Sequence, residues 1–417
     1  MTSRPLNLLV PAIVVALSFA CDRAHGATNA VLRWNDLATQ VSAAAQTDPI
    51  SQSRIFAILR IAVHDAVNAI EPRYQKYDST LPAAPGASMD AAEAQASRDV
   101  LVALLPARAA AVDAALHEAL AAIADGPAKT RGIETGRAAA ARILSDRRGD
   151  GADRKVDYKS GGKPEQYRPT PPDFTPAFLP HWGAVRPFTL KSGHQFRPAP
   201  PPDKAGEQAR FDVNEIATVG GIEGSARTEE QSEIARFWYE YSTRGWNRIA
   251  RSVAASQNLD AWESAHLLAL VNIAMVDGFI AAMDAKYHYN YWRPETALRE
   301  SGHQEWLSYL PTPPVPDYPS AHALLGVAAA TVLSRYFGSD YVSFSTTSGA
   351  PYPGITREFW SFSAAARENA ASRVFAGLHF STAVTTGYRM GEAVGAWTFD
   401  HALRPLDAAA VLRSGSH

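Results

Sequence analysis

The last third of the chain contains three short segments: Lys286-Tyr-His-Tyr-Asn-Tyr-Trp-Arg293-Pro294, Tyr318-Pro319-Ser320-Ala321-His322 and Ser372-Arg373-Val-Phe-Ala-Gly377-Leu378-His379. Among their residues are one lysine, two arginines, the histidines His322 and His379, and a serine hydroxyl at a predicted helix start. Guanidinium groups bind anion oxygens in pairs, and a lysine adds a point charge. The three segments therefore predict a site for a tetrahedral oxyanion.

The second segment adds backbone donors to these side chains. Ser320 precedes the apolar run Ala-His-Ala-Leu-Leu, which is typical of a helix N-cap. The first N–H groups of that helix would then point at the anion and add to its binding. One histidine can bond to the central atom while the other moves a proton, because imidazole does both near neutral pH.

This set of motifs resembles the signature of the vanadium-dependent haloperoxidases and their relatives, the type 2 phosphatidic acid phosphatases and bacterial acid phosphatases. The family pattern is K-x6-R-P, then P-S-G-H, then S-R-x5-H. Every functional position is met except the glycine, which is Ala321 here. The resemblance covers residues 230–400 and extends more weakly to Arg60-Ile-Ala-Val-His64-Asp65-Ala-Val-Asn68. That second stretch looks like the first helices of bacterial haloperoxidase-like proteins.

The resemblance implies vanadate as the cofactor and names the residues that bind it. Lys286, Arg293 and Arg373 would hold the equatorial oxygens. The Ser320 hydroxyl and the main-chain N–H of Ala321 would complete the cradle. An alanine keeps that N–H if the residue is helical, although its methyl group then lines the pocket.

The same resemblance implies different roles for the two histidines. His379 would be the metal ligand, bound directly to vanadium, or the group that attacks phosphorus in a phosphatase. His322 would be the acid–base residue on the opposite side, and Lys286 would be catalytic by withdrawing electron density from the peroxide. Phosphatase relatives usually carry an aspartate four residues after the histidine, which fixes its tautomer. Ala383 stands there and counts against a phosphatase, although a backbone carbonyl could substitute.

Three functions stay open at this point. The favoured interpretation is a vanadate-dependent haloperoxidase that oxidises halide with hydrogen peroxide to hypohalous acid. Bromide or iodide is expected, because family chloroperoxidases carry aromatic residues where this chain has Met283 and Val315. The alternatives are an exported acid phosphatase with a phosphohistidine intermediate and an inactive anion-binding homologue. The organic acceptor is not indicated by the sequence.

The composition restricts the partners. A net charge of −2 over 417 residues does not favour nucleic acid or an acidic membrane surface. Large alanine-rich helical surfaces make a homodimer plausible. No zinc, calcium or iron is assigned, because no HExxH motif is present and His288 and His303 lack partners at metal-ligand spacing.

The first 26 residues are typical of a secretory signal. The apolar stretch from Leu6 to Ala20 is too short to span a bilayer comfortably. Ala24-His25-Gly26 predicts cleavage before Ala27, so we expect an exported protein, periplasmic or secreted, without a membrane span once the signal is removed. Lipoprotein anchoring through Cys21 is less favoured, because Ser18-Phe19-Ala20 is a poor lipobox.

Alanine-rich amphipathic stretches dominate and strand-like alternation is nearly absent, which predicts an all-α protein. The resemblance implies a helical bundle of the haloperoxidase type. A capping box at Thr228 predicts one helix start. The other predicted helices span about 51–71, 90–104, 107–124, 128–147, 260–285, 320–338, 357–378 and 381–402.

A proline- and aromatic-rich stretch, residues 149–202, interrupts the helices, and its aromatic residues favour an ordered strap on the bundle, with a disordered segment as the alternative. We therefore divide the chain into an N-terminal helical region (27–148), a connecting segment (149–227) and a catalytic domain (228–405). The pair His64-Asp65 on an apolar helix is predicted to be structural. Asp277 and Asp284 either brace a site arginine or are ordinary helix-face charges.

Overall fold

The computed structural model describes residues 29–406. The predicted signal segment, residues 1–26 with Cys21, lies outside the described residues. The described part contains thirteen α-helices and one two-stranded antiparallel sheet. The predicted all-α helical class is confirmed.

The helices fall into two groups along the chain. The first group comprises α1 (Ala30–Ala44), α2 (Pro49–Ile70), α3 (Met89–Leu104), α4 (Ala109–Ala121) and α5 (Pro127–Asp146). The second group comprises α6 (Glu207–Val219), α7 (Glu229–Phe237), α8 (Ser242–Ser256), α9 (Ala261–Tyr289), α10 (Pro294–Glu300), α11 (Ala321–Phe337), α12 (Phe362–Phe375) and α13 (Ser381–His401). Strands β1 (Phe344–Thr347) and β2 (Thr356–Phe359) lie between α11 and α12, and short 3-10 turns lie at Pro106–Arg108 and Trp182–Ala184.

Helix α9 is the central element of the bundle. It starts with a capping box formed by Asp260 and Glu263, and α2, α11 and α13 pack around it. By length and composition α9 could cross a membrane, but its apolar window is wholly buried inside the fold. The helix ends at Asn290, which takes the left-handed conformation with φ 53°. Lys286 is therefore carried in its last turn.

One predicted helix was wrong at its start. Residues 356–359 form β2, which pairs with β1 in register Phe344↔Phe359, and α12 begins only at Phe362. The hairpin buries both phenylalanines against the core, and this long-range pairing overrides the local helical pattern. Four helices were not predicted individually: α1, α6, α8 and α10.

Residues 149–206, which we call the strap, run across α9 and are held by its carboxylates. Asp277 accepts hydrogen bonds from the main-chain N–H groups of Phe188 and Thr189 (2.7 Å each) and of Leu190 (3.0 Å). Asp284 pairs with Arg197 through two contacts of 2.8 Å. Neither aspartate contacts an arginine of the predicted site, so both of the roles considered for them are replaced by strap anchoring.

The strap also covers the tyrosines of the first motif. The hydroxyl of Tyr287 donates to the carbonyl of Phe178 at 2.6 Å, and Tyr289 donates to the carbonyl of Pro198. Tyr318, in the second motif, donates to the carbonyl of Ala199 at 2.7 Å. The aromatic residues beside Lys286 thus hold the strap, and the strap covers the first two motifs on that side of the bundle.

Candidate anion-binding active site

Lys286 is buried and faces the chain just before α11. Its Nζ donates to the main-chain carbonyls of Pro316 and Asp317, the latter at 2.9 Å. An ammonium group has three N–H donors, so one is left for a ligand. Burial and the nearby charge of Arg293 lower the pKa of Lys286 well below its ordinary value.

Arg293 precedes α10 and is fully buried. Its guanidinium donates to the carbonyls of Val315 (2.7 Å), Leu378 (2.8 Å) and Pro313 (3.0 Å). The proline-rich segment 311–316 is thereby tied to the first motif through carbonyl oxygens. Burial lowers the pKa of Arg293.

The start of α11 adds polar groups from the second motif. Ser320 caps the helix, and its hydroxyl accepts from the N–H of Ala323 at 3.4 Å, as the sequence predicts. Its own N–H donates to the carbonyl of Ala383 at 2.9 Å. Ala321 is the first helical residue, where an N–H group has no acceptor within the helix. That N–H is free for an anion, so alanine in place of the family glycine does not remove this donor.

Arg373 lies in the last turn of α12 with most of its donors uncommitted. It donates one hydrogen bond, to the carbonyl of Trp238 at 3.3 Å, and its Nε has no partner among the described residues. The guanidinium carbon is 5.6 Å from the ring centre of Tyr239. Burial lowers the pKa of Arg373 to about 10.

Gly377 turns the chain sharply between Arg373 and His379. Its φ is +77°, and a Cβ there would lie 2.2 Å from the carbonyl oxygen of Gly220. Any other residue would be strained and would overlap that oxygen. The turn lets the N–H groups of Leu378 and His379 donate to the carbonyl of Arg373, at 3.0 and 3.3 Å. The third motif is thus folded back on itself.

His379 is buried among the cations. The Arg293 Nη1 lies 3.2 Å from its Nε2 and 3.4 Å from its Nδ1, and Asp317 Oδ1 lies 2.8 Å from Nδ1. Burial, followed by the charges of Arg293 and Lys286, lowers the pKa of His379 well below its ordinary value. The imidazole is therefore neutral and has a lone pair to offer.

His322 has a different neighbour. The hydroxyl of Ser242 lies 2.9 Å from its Nδ1, and its Nε2 is buried without a partner among the described residues. Burial and the charge of Arg373 lower the pKa of His322 well below its ordinary value. A neutral His322 with a free Nε2 can accept or return a proton, which suits the predicted acid–base role.

The charges of the site do not balance. Lys286, Arg293 and Arg373 are each at most 4% exposed, and the carboxylate beside them is Asp317. Burial raises the pKa of Asp317 to about 7, against the opposing effect of the Arg293 and Lys286 charges, and this single acid faces three basic side chains. Buried cations of this kind require an anion. The free donors on Lys286 and Arg373, the α11 N-terminus and the neutral His379 together fit vanadate or phosphate.

Two neighbours of the histidines were missed by sequence reasoning. Asp317 supplies the carboxylate that Ala383 lacks, so a carboxylate from another segment, not only a backbone carbonyl, stands beside His379. Ser242 lies in a helix that was not predicted individually. No motif marks either residue, because the aspartate follows prolines and the serine begins a helix, which are common positions for both types.

The structure also places two other sets of residues that the sequence singled out, Met283 with Val315 and His64 with Asp65. Met283 is 1% exposed in the main core, and the carbonyl of Val315 accepts from Arg293. Asp65 accepts from the N–H groups of Tyr77 (2.7 Å) and Asp78 (2.8 Å) and lies 3.1 Å from His64 Nδ1. The buried His64-Asp65 pair therefore holds a loop, in agreement with its predicted structural role.

Comparisons with known proteins agree with this geometry. The family model of the VCPO second helical-bundle domain matches residues 266–408, a range that includes all three motifs. The vanadium chloroperoxidase of Curvularia inaequalis is 28% identical over 188 residues, which are 36% of this chain and 31% of that protein. The chain thus matches about a third of the length of that curated relative.

Solved structures extend the likeness to almost the whole chain. The first bacterial vanadium-dependent iodoperoxidase has a TM-score of 0.81 at 27% identity and covers 91% of this chain and 97% of its own. The apo- and holo-type bacterial vanadium-dependent chloroperoxidase share the fold, with TM-scores of 0.71 and 0.70 at 19% and 21% identity. They cover 85% of this chain and 94% and 91% of their own. The chain thus has the helical fold of the bacterial vanadium haloperoxidases, and its residues 266–408 match the VCPO second helical-bundle domain.

Proposed function

We propose that this protein is a vanadate-dependent haloperoxidase that uses hydrogen peroxide to oxidise bromide or iodide to hypohalous acid. The observation that carries the proposal is the uncompensated positive charge of Lys286, Arg293 and Arg373 around a neutral His379. The solved iodoperoxidase that covers 91% of the chain supports the halide assignment, as does the absence of aromatic side chains at Met283 and Val315.

The role of each residue in the site follows from its chemistry. The three cations hold the oxygens of the anion, and the Ser320 hydroxyl and the Ala321 N–H bind the same group at the start of α11. His379 offers a nitrogen lone pair to the central atom. When bound, vanadate supplies the activation of hydrogen peroxide toward attack by a halide. Fixed positive charge in a water-poor site stabilises the negative charge that develops on oxygen.

His322 moves the proton. Its Nε2 is the free nitrogen, because Nδ1 is occupied by the hydroxyl of Ser242. A proton taken from hydrogen peroxide at Nε2 can be returned to the departing oxygen in the same cycle. Lys286 keeps one donor for the oxygen that receives the halide attack, since its other two donors are fixed on carbonyls.

A second function is favoured by one observation. Asp317 lies 2.8 Å from His379 Nδ1, where a carboxylate would orient the imidazole as a nucleophile. The protein without vanadate is therefore also a candidate phosphomonoesterase that forms a phosphohistidine on His379. No metal ion is needed for that reaction, because the same cations neutralise the phosphate.

The test uses purified protein with and without orthovanadate. Bromination of a phenolic dye and oxidation of iodide, each with hydrogen peroxide, are measured beside hydrolysis of p-nitrophenyl phosphate. Halide oxidation that requires vanadate, is lost in His379→Ala and is kept in His288→Ala supports the haloperoxidase. His288 is an exposed histidine of the same motif and serves as the matched control. Phosphate release that is inhibited by vanadate supports the second function. If neither halide oxidation nor phosphate release is detected, the protein is an inactive anion-binding homologue.

Export and assembly are part of the proposal. The signal-like residues 1–26 support a periplasmic or secreted enzyme, and lipid attachment at Cys21 is the less favoured alternative. A homodimer stays a prediction from the alanine-rich helices. Fractionation of cells that express the full chain, followed by N-terminal sequencing and by light scattering of the purified protein, tests both.

A further inference from the structure

Asp317 occupies an unusual position for a buried acid. It is fully buried, and its Oδ1 lies 2.8 Å from His379 Nδ1 and 3.8 Å from Arg293 Nη1. Neither carboxyl oxygen has a well-aligned hydrogen-bond partner among the described residues, although the main-chain N–H of Phe380 is near enough to act against the rise in the pKa of this group. Buried polar groups without a well-aligned partner are uncommon in folded proteins, so the position of this one needs an explanation.

The backbone of Asp317 already holds its segment without help from the side chain. Its N–H donates to the carbonyl of Tyr291 at 3.0 Å, and its carbonyl accepts from Lys286 at 2.9 Å. The carboxyl group is therefore not required to fix the loop. Its contact with His379 is the feature that needs a different explanation.

The two ring nitrogens of His379 differ in their neighbours. Arg293 Nη1 lies almost equally far from Nε2 and Nδ1, at 3.2 and 3.4 Å, so this donor does not select one of them. The contact of Asp317 with the ring is to Nδ1. A carboxylate only accepts, so it favours a proton on Nδ1 and leaves the lone pair on Nε2.

We propose that Asp317 is a positioning residue that fixes His379 with Nδ1 protonated and Nε2 directed at the bound anion. It replaces, from the segment before α11, the orienting carboxylate that position 383 does not supply. The inference rests on the proposed function, because the nitrogen so oriented is the one that would bind the central atom of vanadate. Asp317 itself touches neither the anion nor the peroxide.

The proposal makes opposite predictions for two anions. In Asp317→Asn the orienting charge is lost, and the dissociation constant of orthovanadate should rise about tenfold to a hundredfold, as is usual for loss of such a neighbour. Inorganic phosphate is held by charge and hydrogen bonds without a bond to the ring. Its affinity should stay equal or increase, because a negative charge beside three cations has been removed. Isothermal titration calorimetry measures both.

Any other combination of changes in the affinities for orthovanadate and phosphate overturns the proposal. A variant with a damaged site would bind both anions more weakly, and a variant changed only in charge would bind both more tightly. Asp284→Asn is the matched control, because this carboxylate lies on α9 two residues before Lys286 and pairs with Arg197 away from the site. It should leave both dissociation constants within about twofold, the scatter of values for residues outside a site.

A second measurement needs neither vanadate nor a folded variant at position 317. Nitrogen-15 spectra of histidine-labelled wild-type protein, with the His379 signals identified by their loss in His379→Ala, report which ring nitrogen carries the proton. Protonation of Nδ1 supports the proposal, and protonation of Nε2 overturns it. If wild-type protein does not bind vanadate while Nδ1 is protonated, the proposed function fails and the positioning role stands.

Discussion

Replacing Arg373 by methionine should abolish anion binding and leave the stability of the anion-free protein almost unchanged. The side chain makes one hydrogen bond, to Trp238 at 3.3 Å, and lies 5.6 Å from the ring centre of Tyr239. A hydrogen bond from a charged donor contributes about 1.5–3 kcal/mol, and a cation near an aromatic face about 0.5–1 kcal/mol. Arg373→Met therefore loses roughly 2–4 kcal/mol of favourable contacts.

The cost of burying the charge opposes this loss. Burial lowers the pKa of Arg373 to about 10, which, at about 1.4 kcal/mol for each pKa unit below the ordinary arginine value, corresponds to about 3 kcal/mol. Methionine removes this cost together with the contacts. The two effects nearly cancel, so the free energy of unfolding should change by no more than about 1 kcal/mol.

Arg293→Met is the matched comparison, because it removes the same charge from the same site. Arg293 donates to three buried carbonyls at 2.7, 2.8 and 3.0 Å. Arg293→Met orphans two more carbonyls than Arg373→Met, and each costs about 1–3 kcal/mol, so its free energy of unfolding should be lower than that of Arg373→Met by at least about 2 kcal/mol. We propose that both arginines hold the anion, and Arg293 in addition binds three buried carbonyls of the fold.

Urea unfolding followed by tryptophan fluorescence, with and without orthovanadate, separates the two effects. At a vanadate concentration of about 100 times the dissociation constant, wild-type protein should gain about 2.7 kcal/mol, and Arg373→Met should gain nothing. Equal losses in the two anion-free variants would refute the charge-balance reasoning. Full vanadate stabilisation of Arg373→Met would show that Arg373 is not part of the cradle.

Three further predictions concern the strap, a buried acid and the second histidine. Asp277→Ala should destabilise the protein by about 3–5 kcal/mol, because buried N–H donors lose a charged acceptor, and limited proteolysis should then cut within residues 149–206. Burial raises the pKa of Glu93 to about 8, whereas the pKa of an unfolded glutamate is about 4.3. The stability that Glu93 contributes is therefore fully present below about pH 4.3 and should be lost as the pH rises to about 8. Glu93→Gln should flatten this slope in urea titrations between pH 5 and 9. Ser242→Ala should lower kcat for halide oxidation about tenfold at unchanged vanadate affinity, because His322 loses its Nδ1 partner but does not bind the anion.

Local patterns were sufficient to predict most helices, while the anion site stays a prediction whose residues the structure brings together. The capping box at Thr228 and the N-cap at Ser320 were found at the predicted positions, because these signals act within one helical turn. The motif residues were recognised because their spacing along the chain is characteristic. Residues 357–359 were misassigned because their strand exists only through pairing with β1.

The orienting groups could not be predicted in the same way. Asp317 contacts His379 only after Gly377 has reversed the chain at the end of α12. Asp277 was visible as an acid in the middle of an apolar helix, which indicates a buried partner, but the sequence does not show that the partner is the strap. Long-range contacts of single residues leave no periodic signal.

The proline-rich segment before α11 explains how two of the three basic side chains are held in the buried site that we propose binds an anion. Lys286 and Arg293 are held by carbonyls from residues 313–317, which are strong acceptors without a full negative charge. Carboxylates in those places would hold the cations equally well but would neutralise the field that binds the anion. Proline has no N–H group, so a segment rich in proline offers carbonyl oxygens with few competing donors. Asp317 ends this segment, and its carboxyl group lies closer to His379 than to Lys286 or Arg293. It therefore orients the imidazole, while the three basic side chains leave the site with a net positive charge.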